Sequence, residues 1–237
     1  MFKTLNLNKS MRIKLIGSVI AGAALVVVQV QAQLVNGSFE TLTVPGVSVK
    51  NGFNGTVPGW TGPTAANSGV DTPLDIKAPG AEDGVNAAFF MNQDGYAEQT
   101  SGTVIGGSGG YDLNFWTMDI DTYNGTWSGA GIGVIAVEVY AGTDATPIYG
   151  EVDFNLGPSS NGATPGTWVY QGLHINAADI PNADIGENLG IKIWNNSTDV
   201  AGSWIYVDNV TLAVPEPATM ALFGLGSLAL LAFRRRA

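Results

Sequence analysis

The chain has no cysteine and only one histidine, His174. Without thiols there is no disulfide framework, no thiol nucleophile and no Cys-ligated zinc, and one imidazole excludes the multi-histidine sites that hold zinc or copper. Cations are nearly as scarce. Seven of the ten Lys and Arg fall in the first fourteen or last four residues, so Gln33 to Ala213 holds 19 acidic residues against Lys50, Lys77 and Lys192, a net of −16. A segment this anionic has no cation cluster able to release phosphate counterions, so nucleic acid is not an expected partner. Lys, Glu and Leu, the strong helix formers, are few in the middle of the chain. What is abundant there is glycine, 32 in all, with 11 Pro, a composition suited to short strands joined by tight turns. At 45% hydrophobic residues, 237 positions hold enough apolar material for one sizeable core.

The two ends differ from the middle. Lys3, Lys9, Arg12 and Lys14 precede an apolar run from Leu15 to Val28, and Val30 and Ala32 supply small residues for cleavage after Ala32. Residues 1–32 therefore read as a signal peptide, 33–213 as one β-sandwich domain and 214–237 as a sorting tail. In the tail, Ala218 to Phe233 is free of charge. As a helix that run would be about 24 Å long, near the ~30 Å of a bilayer's hydrocarbon core. Arg234, Arg235 and Arg236 would stay on the cytoplasmic side of such a span, with the body on the periplasmic side. Pro215 and Pro217 keep the segment before it extended and accessible.

Pro215-Glu216-Pro217, the apolar run and the arginine cluster resemble the PEP-CTERM sorting signal in order, spacing and position. The resemblance implies recognition by an exosortase in a Gram-negative bacterium. It also implies an inner-membrane intermediate, then a processed product at the cell surface or in the extracellular matrix, in company with exopolysaccharide.

Between the ends the pattern is period two, rich in β-branched and aromatic residues. It predicts strands at Ala87–Met91, Tyr96–Ser101, Tyr111–Met118, Ile132–Ala141, Ile148–Phe154, Thr167–Ile175, Leu189–Trp194 and Trp204–Ala213, with a structureless approach from Val44 to Asp83. Such a set reads as an all-β sandwich. The motifs "LVNGSFE", "VPGW", "GYAEQTS", "YDLNFW" and "WIYVDNVTL" resemble the galactose-binding-like jelly roll of several carbohydrate-binding modules. Asn36-Gly37 is a turn signal, and the last strand is expected to return beside the first and close the sandwich.

That resemblance implies a structural calcium site built on Glu40 and Asp208, carboxylates from the first motif and the last strand. Calcium takes six to eight oxygens, so the pair would need backbone carbonyls as well. "DIDTYNG" also gathers oxygens at Asp119, Asp121 and Asn124, but its spacing departs by one from a calcium loop, and a solvated turn is the plainer reading.

Alternation suggests a sugar surface. Leu113 and Phe115, then Ile135, Val137 and Val139, then Leu189, Ile191 and Ile193 face the core. Asn114 and Trp116, Glu138 and Tyr140, and Lys192 and Trp194 point the other way. If the three strands share one concave sheet, these six form a platform on which a glycan ring stacks while its hydroxyls are hydrogen-bonded. Burial of the same rings beneath loops is the alternative.

No nucleophile elbow accompanies His174, and carboxylate pairs for glycoside hydrolysis cannot be assigned from spacing alone. The expectation is a non-enzymatic surface protein whose sandwich binds exopolysaccharide. A structural protein with no discrete ligand site is the alternative, with a glycoside-active enzyme and an ice-binding protein behind it.

Overall fold

The computed structural model describes residues 30–32, 34–43, 52–53, 56–63, 68–73, 80–91, 95–106, 109–119, 133–143, 147–156, 166–197 and 204–214. One unit, Val30–Pro215, is the body; Met1–Gln29 with Glu216–Ala237 make a second, which lies outside the described residues. The expected signal peptide and membrane helix, with Pro215, Glu216, Pro217 and Arg234 to Arg236, all fall there or just beside it. Among the described residues no helix is long and apolar enough to cross a membrane.

Among the described residues ten strands run β1 (Val30–Ala32), β2 (Ser68–Asp71), β3 (Ala87–Met91), β4 (Tyr96–Val104), β5 (Tyr111–Asp119), β6 (Val134–Ala141), β7 (Pro147–Asn155), β8 (Val169–Ile175), β9 (Asn188–Asn195) and β10 (Trp204–Val214). They form two sheets. Sheet A has the order β2-β3-β10-β5-β8 with β1 against β10, and sheet B has the order β4-β9-β6-β7. Every pairing in both is antiparallel. This is the expected β-sandwich, and alternation in β5 from Tyr111 to Thr117 (buried, half-buried, buried) is what one covered and one partly open face demand.

The core lies between the sheets. Leu113, Phe115, Ile205, Val207 and Leu212 of sheet A meet Ile135, Val137, Val139, Leu189, Ile191 and Ile193 of sheet B, all at most 1% exposed. The alternation in sequence assigned the inward residues of β5, β6 and β9 correctly. Loops plug the ends of the core: Phe39 packs on Trp60 at 5.1 Å and Phe53 stacks on Phe90 at 5.9 Å. A smaller apolar cluster of Ala87, Phe89, Met118 and Tyr206, with Trp168 and Trp204 against it, covers part of the outer face of sheet A.

Two expectations change and one is met. Val44 to Asp83 is not structureless, because Ser68–Asp71 forms β2 on the edge of sheet A, paired to β3. "SGVD" carries one β-branched residue and no alternation, and all four residues are buried, so no period betrays it. Secondly, "LVNGSFE" forms the turn that Asn36-Gly37 signals, with Asn36 and Phe39 both at positive φ (56° and 57°). Gly37 belongs there because its backbone presses on β10: a Cβ would lie 2.1 Å from the Val210 carbonyl oxygen, and its own carbonyl accepts the Val210 N–H at 2.9 Å. Thirdly, β10 does not close the sandwich at an edge. It does return beside the first strand, Val30–Ala32 pairing with Leu212–Val214, but it sits in the middle of sheet A between β3 and β5, and β1 lies on the leader side of the expected cut after Ala32.

Candidate functional site

Register places three rungs on the outer face of sheet B. Tyr96, Trp194 and Ala136 share the first, Glu98, Lys192 and Glu138 the second, and Thr100, Gly190 and Tyr140 the third. Consecutive rungs are about 7 Å apart, two residues along a strand. Lys192 thus stands between two carboxylates, and its Nζ lies 5.0 Å from the centroid of the Tyr96 ring, within range of a cation–π contact. Glu98 is steadied from the other side by the Thr61 hydroxyl, which donates to Oε1 at 3.2 Å. Oε1 of Glu138 is shut off from solvent. The strip therefore offers a screened carboxyl beside an ammonium and aromatic walls, an arrangement able to move a proton and to stabilise positive charge nearby.

Glu138, Lys192 and Trp194 sit together on this strip, half-buried. Tyr140 is on the same face but is no platform. Its ring lies flat across Gly190, where a Cβ would come within 2.0 Å of Cε2, and its hydroxyl is 3.3 Å from that of Thr100. At 2% exposure the ring has no face left for a ligand. Asn114 and Trp116 are not there at all. They belong to β5, in sheet A, and so lie on the opposite side of the sandwich. The expected single surface of six residues is therefore divided, because alternation says which way a side chain points from its sheet but not which sheet holds the strand. The residues missed by sequence are those of β4. Tyr96, Glu98 and Thr100 alternate in "YAEQT", and that signal would have placed them on one face, though not beside β9.

The expected calcium pair converges on one loop. Oε1 of Glu40 accepts the N–H groups of Val85 and Asn86 at 2.8 and 2.6 Å, while Oδ2 of Asp208 accepts those of Glu82 and Asp83, both at 2.9 Å. Asp208 Oδ1 takes the Asn209 N–H at 2.7 Å, and Asn209, at φ 49° in a bulge of β10, donates its side-chain amide to Glu82 at 3.1 Å. Both carboxylates thus pin residues 82–86. Burial pushes the Asp208 carboxyl up to about 7 against the opposing pull of the Asp83, Asn209 and Glu82 amides. Hard oxygen donors and an uncompensated buried charge fit Ca²⁺ in kind. Among the described residues no third acid or histidine joins them to complete a three-residue cluster, so further oxygens would have to be carbonyls or water. Asp121 and Asn124 of the other motif lie outside the described residues; Asp119 accepts the Gly133 N–H.

His174 projects from the outer face of sheet A and meets Asp112 across the β5–β8 pairing, Nδ1 to Oδ1 at 2.5 Å. Among the described residues that hydrogen bond or contact it, none is a hydroxyl nucleophile.

Two family models match the chain. The one described as HpiC1 cyclase covers residues 30–213, and the PEP-CTERM protein-sorting motif covers 213–236. No curated protein matches the sequence. Among solved structures, a cyclase from Fischerella sp. TAU is 20% identical with a TM-score of 0.57, covering 80% of this chain and 100% of that one. Another, a Fischerella sp. TAU cyclase in complex with 4-(1H-indol-3-yl)butan-2-one, is 21% identical (78% and 97% covered, TM-score 0.54). The CBM22-1 xylan-binding domain of Xyn10C from Paenibacillus barcinonensis is 13% identical (72% and 93% covered, TM-score 0.41), too distant to bear on ligands. The sorting motif marks an exported protein. The cyclase model, spanning the whole body, overturns the expectation that the sandwich has no enzymatic activity.

Proposed function

Since the chain belongs to the HpiC1 cyclase family over residues 30–213, we propose that it is an exported cyclase whose reaction takes place on the outer strip of sheet B. A cyclisation is an isomerisation: an acid protonates an unsaturated substrate, a ring bond forms at the cationic carbon, and a proton is returned. The observation that carries this reading is Glu138, whose Oε1 is shut off from solvent one rung from Tyr96 and Trp194. Glu138 serves as the proton donor and acceptor, and Lys192 orients it. The two rings flank the developing cation. An indole such as the one held by the Fischerella neighbour is a planar, neutral ligand that suits aromatic walls and an anionic body.

The test uses 4-(1H-indol-3-yl)butan-2-one as binding probe, and an indole bearing an unsaturated side chain as substrate, its product having the same mass and a new retention time. Glu138→Gln should cut turnover at least about a hundredfold, the ordinary contribution of a positioned acid, while Trp194→Ala weakens probe binding. Turnover indifferent to both substitutions refutes the site.

Exosortase is the proposed processing partner, acting at Pro215-Glu216-Pro217 while the apolar tail holds the body at the inner membrane. Structural Ca²⁺ at Glu40 and Asp208 is proposed as a staple for loop 82–86, on the strength of the buried Asp208 charge. A second reading, attachment to exopolysaccharide, is favoured by an aromatic pair on sheet A, Tyr170 exposed and Trp116 half-buried.

A further inference from the structure

The outer face of sheet A carries a shelf that neither family model assigns. On β5 the outward residues are Asp112, Asn114 and Trp116; on the edge strand β8 they are Tyr170, Gly172 and His174, and the register sets Trp116 opposite Tyr170, Asn114 opposite Gly172 and Asp112 opposite His174. Trp116 and Tyr170 meet edge to face, centroids 5.4 Å apart at 70°. Tyr170 is 55% exposed, the one aromatic among the exposed large hydrophobics of the described residues. Gly172 opens the middle of the shelf: only the Asn114 carboxamide, 3.1 Å from where a Cβ would stand, and the Tyr170 ring edge at 3.8 Å overhang it. From Tyr170 to His174 is about 13 Å along the strand. An aromatic corner thus stands at one end, an acid–imidazole pair at the other, and an amide lies over an open floor between them.

We propose that this shelf binds a neutral polysaccharide, one pyranose ring lying in the Trp116–Tyr170 corner with the next units over Gly172. The CH face of a sugar ring is apolar and stacks on aromatic planes, while its hydroxyls need both donors and acceptors. Asn114 offers both, Asp112 accepts, and the His174 Nε2 lies free of the Asp112 bond made through Nδ1. Charge sets the class: a body of net −16 disfavours an anionic polymer, and there is no lysine or arginine on the shelf to neutralise one. The shelf lies on the side of the sandwich away from Glu138 and Trp194, so holding polymer does not block the cyclase strip. This inference rests on the exopolysaccharide reading and assigns it a location.

The experiment is native affinity electrophoresis of the full chain in mild detergent, in gels containing galactomannan, xyloglucan or dextran, with alginate as the anionic control. Retardation is expected in at least one neutral gel and not in alginate. Trp116→Ala and Tyr170→Ala should each lower the association constant about tenfold, the worth of one buried aromatic face, while Tyr170→Trp keeps it and Trp194→Ala leaves it unchanged. Unfolding temperatures within a few degrees of the parent's show that each variant is folded. Retardation that survives Trp116→Ala and Tyr170→Ala, or disappears with Trp194→Ala, overturns the shelf but leaves polysaccharide binding standing. No retardation in any neutral gel overturns both.

Discussion

The Asp208 carboxyl makes stability depend on pH in a direction opposite to that of most acidic proteins. Its value rises from 3.8 to about 7, chiefly through burial. Between those limits the native state binds more protons than the unfolded chain, so stability falls as pH rises. Below about 4 both states are protonated, and above about 7 both are ionised, so the curve is flat outside the window. Three units at 1.36 kcal/mol each give a loss of about 4 kcal/mol across it, a large part of the ~5–15 kcal/mol that holds a domain folded. Asp208→Asn removes the titration. The carboxamide oxygen still accepts the Glu82 and Asp83 amides, but its NH₂ turns toward the Asn209 N–H and one hydrogen bond is lost, costing about 1 kcal/mol. The variant should therefore be weaker than the parent at low pH and stronger by about 3 kcal/mol at the top of the window, the two curves crossing at about pH 4.5. Urea unfolding followed by tryptophan fluorescence, in chelator, from about pH 4 to about pH 8, measures both curves. A difference between parent and variant that stays constant with pH would refute the buried-charge argument.

Other predictions concern the same loop and the two tight glycines. Excess calcium at the alkaline end of the window should raise the parent's unfolding temperature and leave that of Asp208→Asn unmoved; equal response in both argues against the staple. Glu40→Ala strands the half-buried Asn86 amide, while that of exposed Val85 turns to water, and should cost about 1–3 kcal/mol, whereas Glu40→Gln, which keeps an acceptor, costs about 1. Gly37→Ala places a methyl against the Val210 carbonyl, which has a strand behind it, and should abolish soluble expression. Gly190→Ala meets a ring that can swing outward, so it should fold with a loss of about 1–3 kcal/mol and a newly exposed tyrosine at position 140, detectable by nitration.

How much of this could be read from sequence depends on the range of the signal. Strand β3 is found with its expected ends, and β5, β9 and β10 within a residue or two, because alternation is a local property written into each segment. Which sheet receives each strand is decided by partners far off in the chain, as when Thr211 pairs with Asn114, 97 residues away. That is why Trp116 and Trp194, alike in their strands, end on opposite sides. Ser68–Asp71 escaped because a short strand buried on both faces has no alternation to show. Glu40 and Asp208 were legible through motifs, and the structure brings both to one loop. The strip on sheet B was half legible: β6 and β9 supplied Glu138, Lys192 and Trp194, but the fact that β4 lies alongside β9 is a matter of topology.

The central place of β10 also sets a timetable. Before its residues are available, sheet A exists only as the separate pairs β2-β3 and β5-β8, which share no ladder. The strand that joins them ends at Val214, where the sorting motif has already begun at residue 213. During export the body would thus stay in open pieces until its last strand has crossed, since long-range pairing must wait for both partners. Completion of the fold and presentation of the sorting tripeptide become one event, so a body that has not finished folding also has not finished announcing itself for processing.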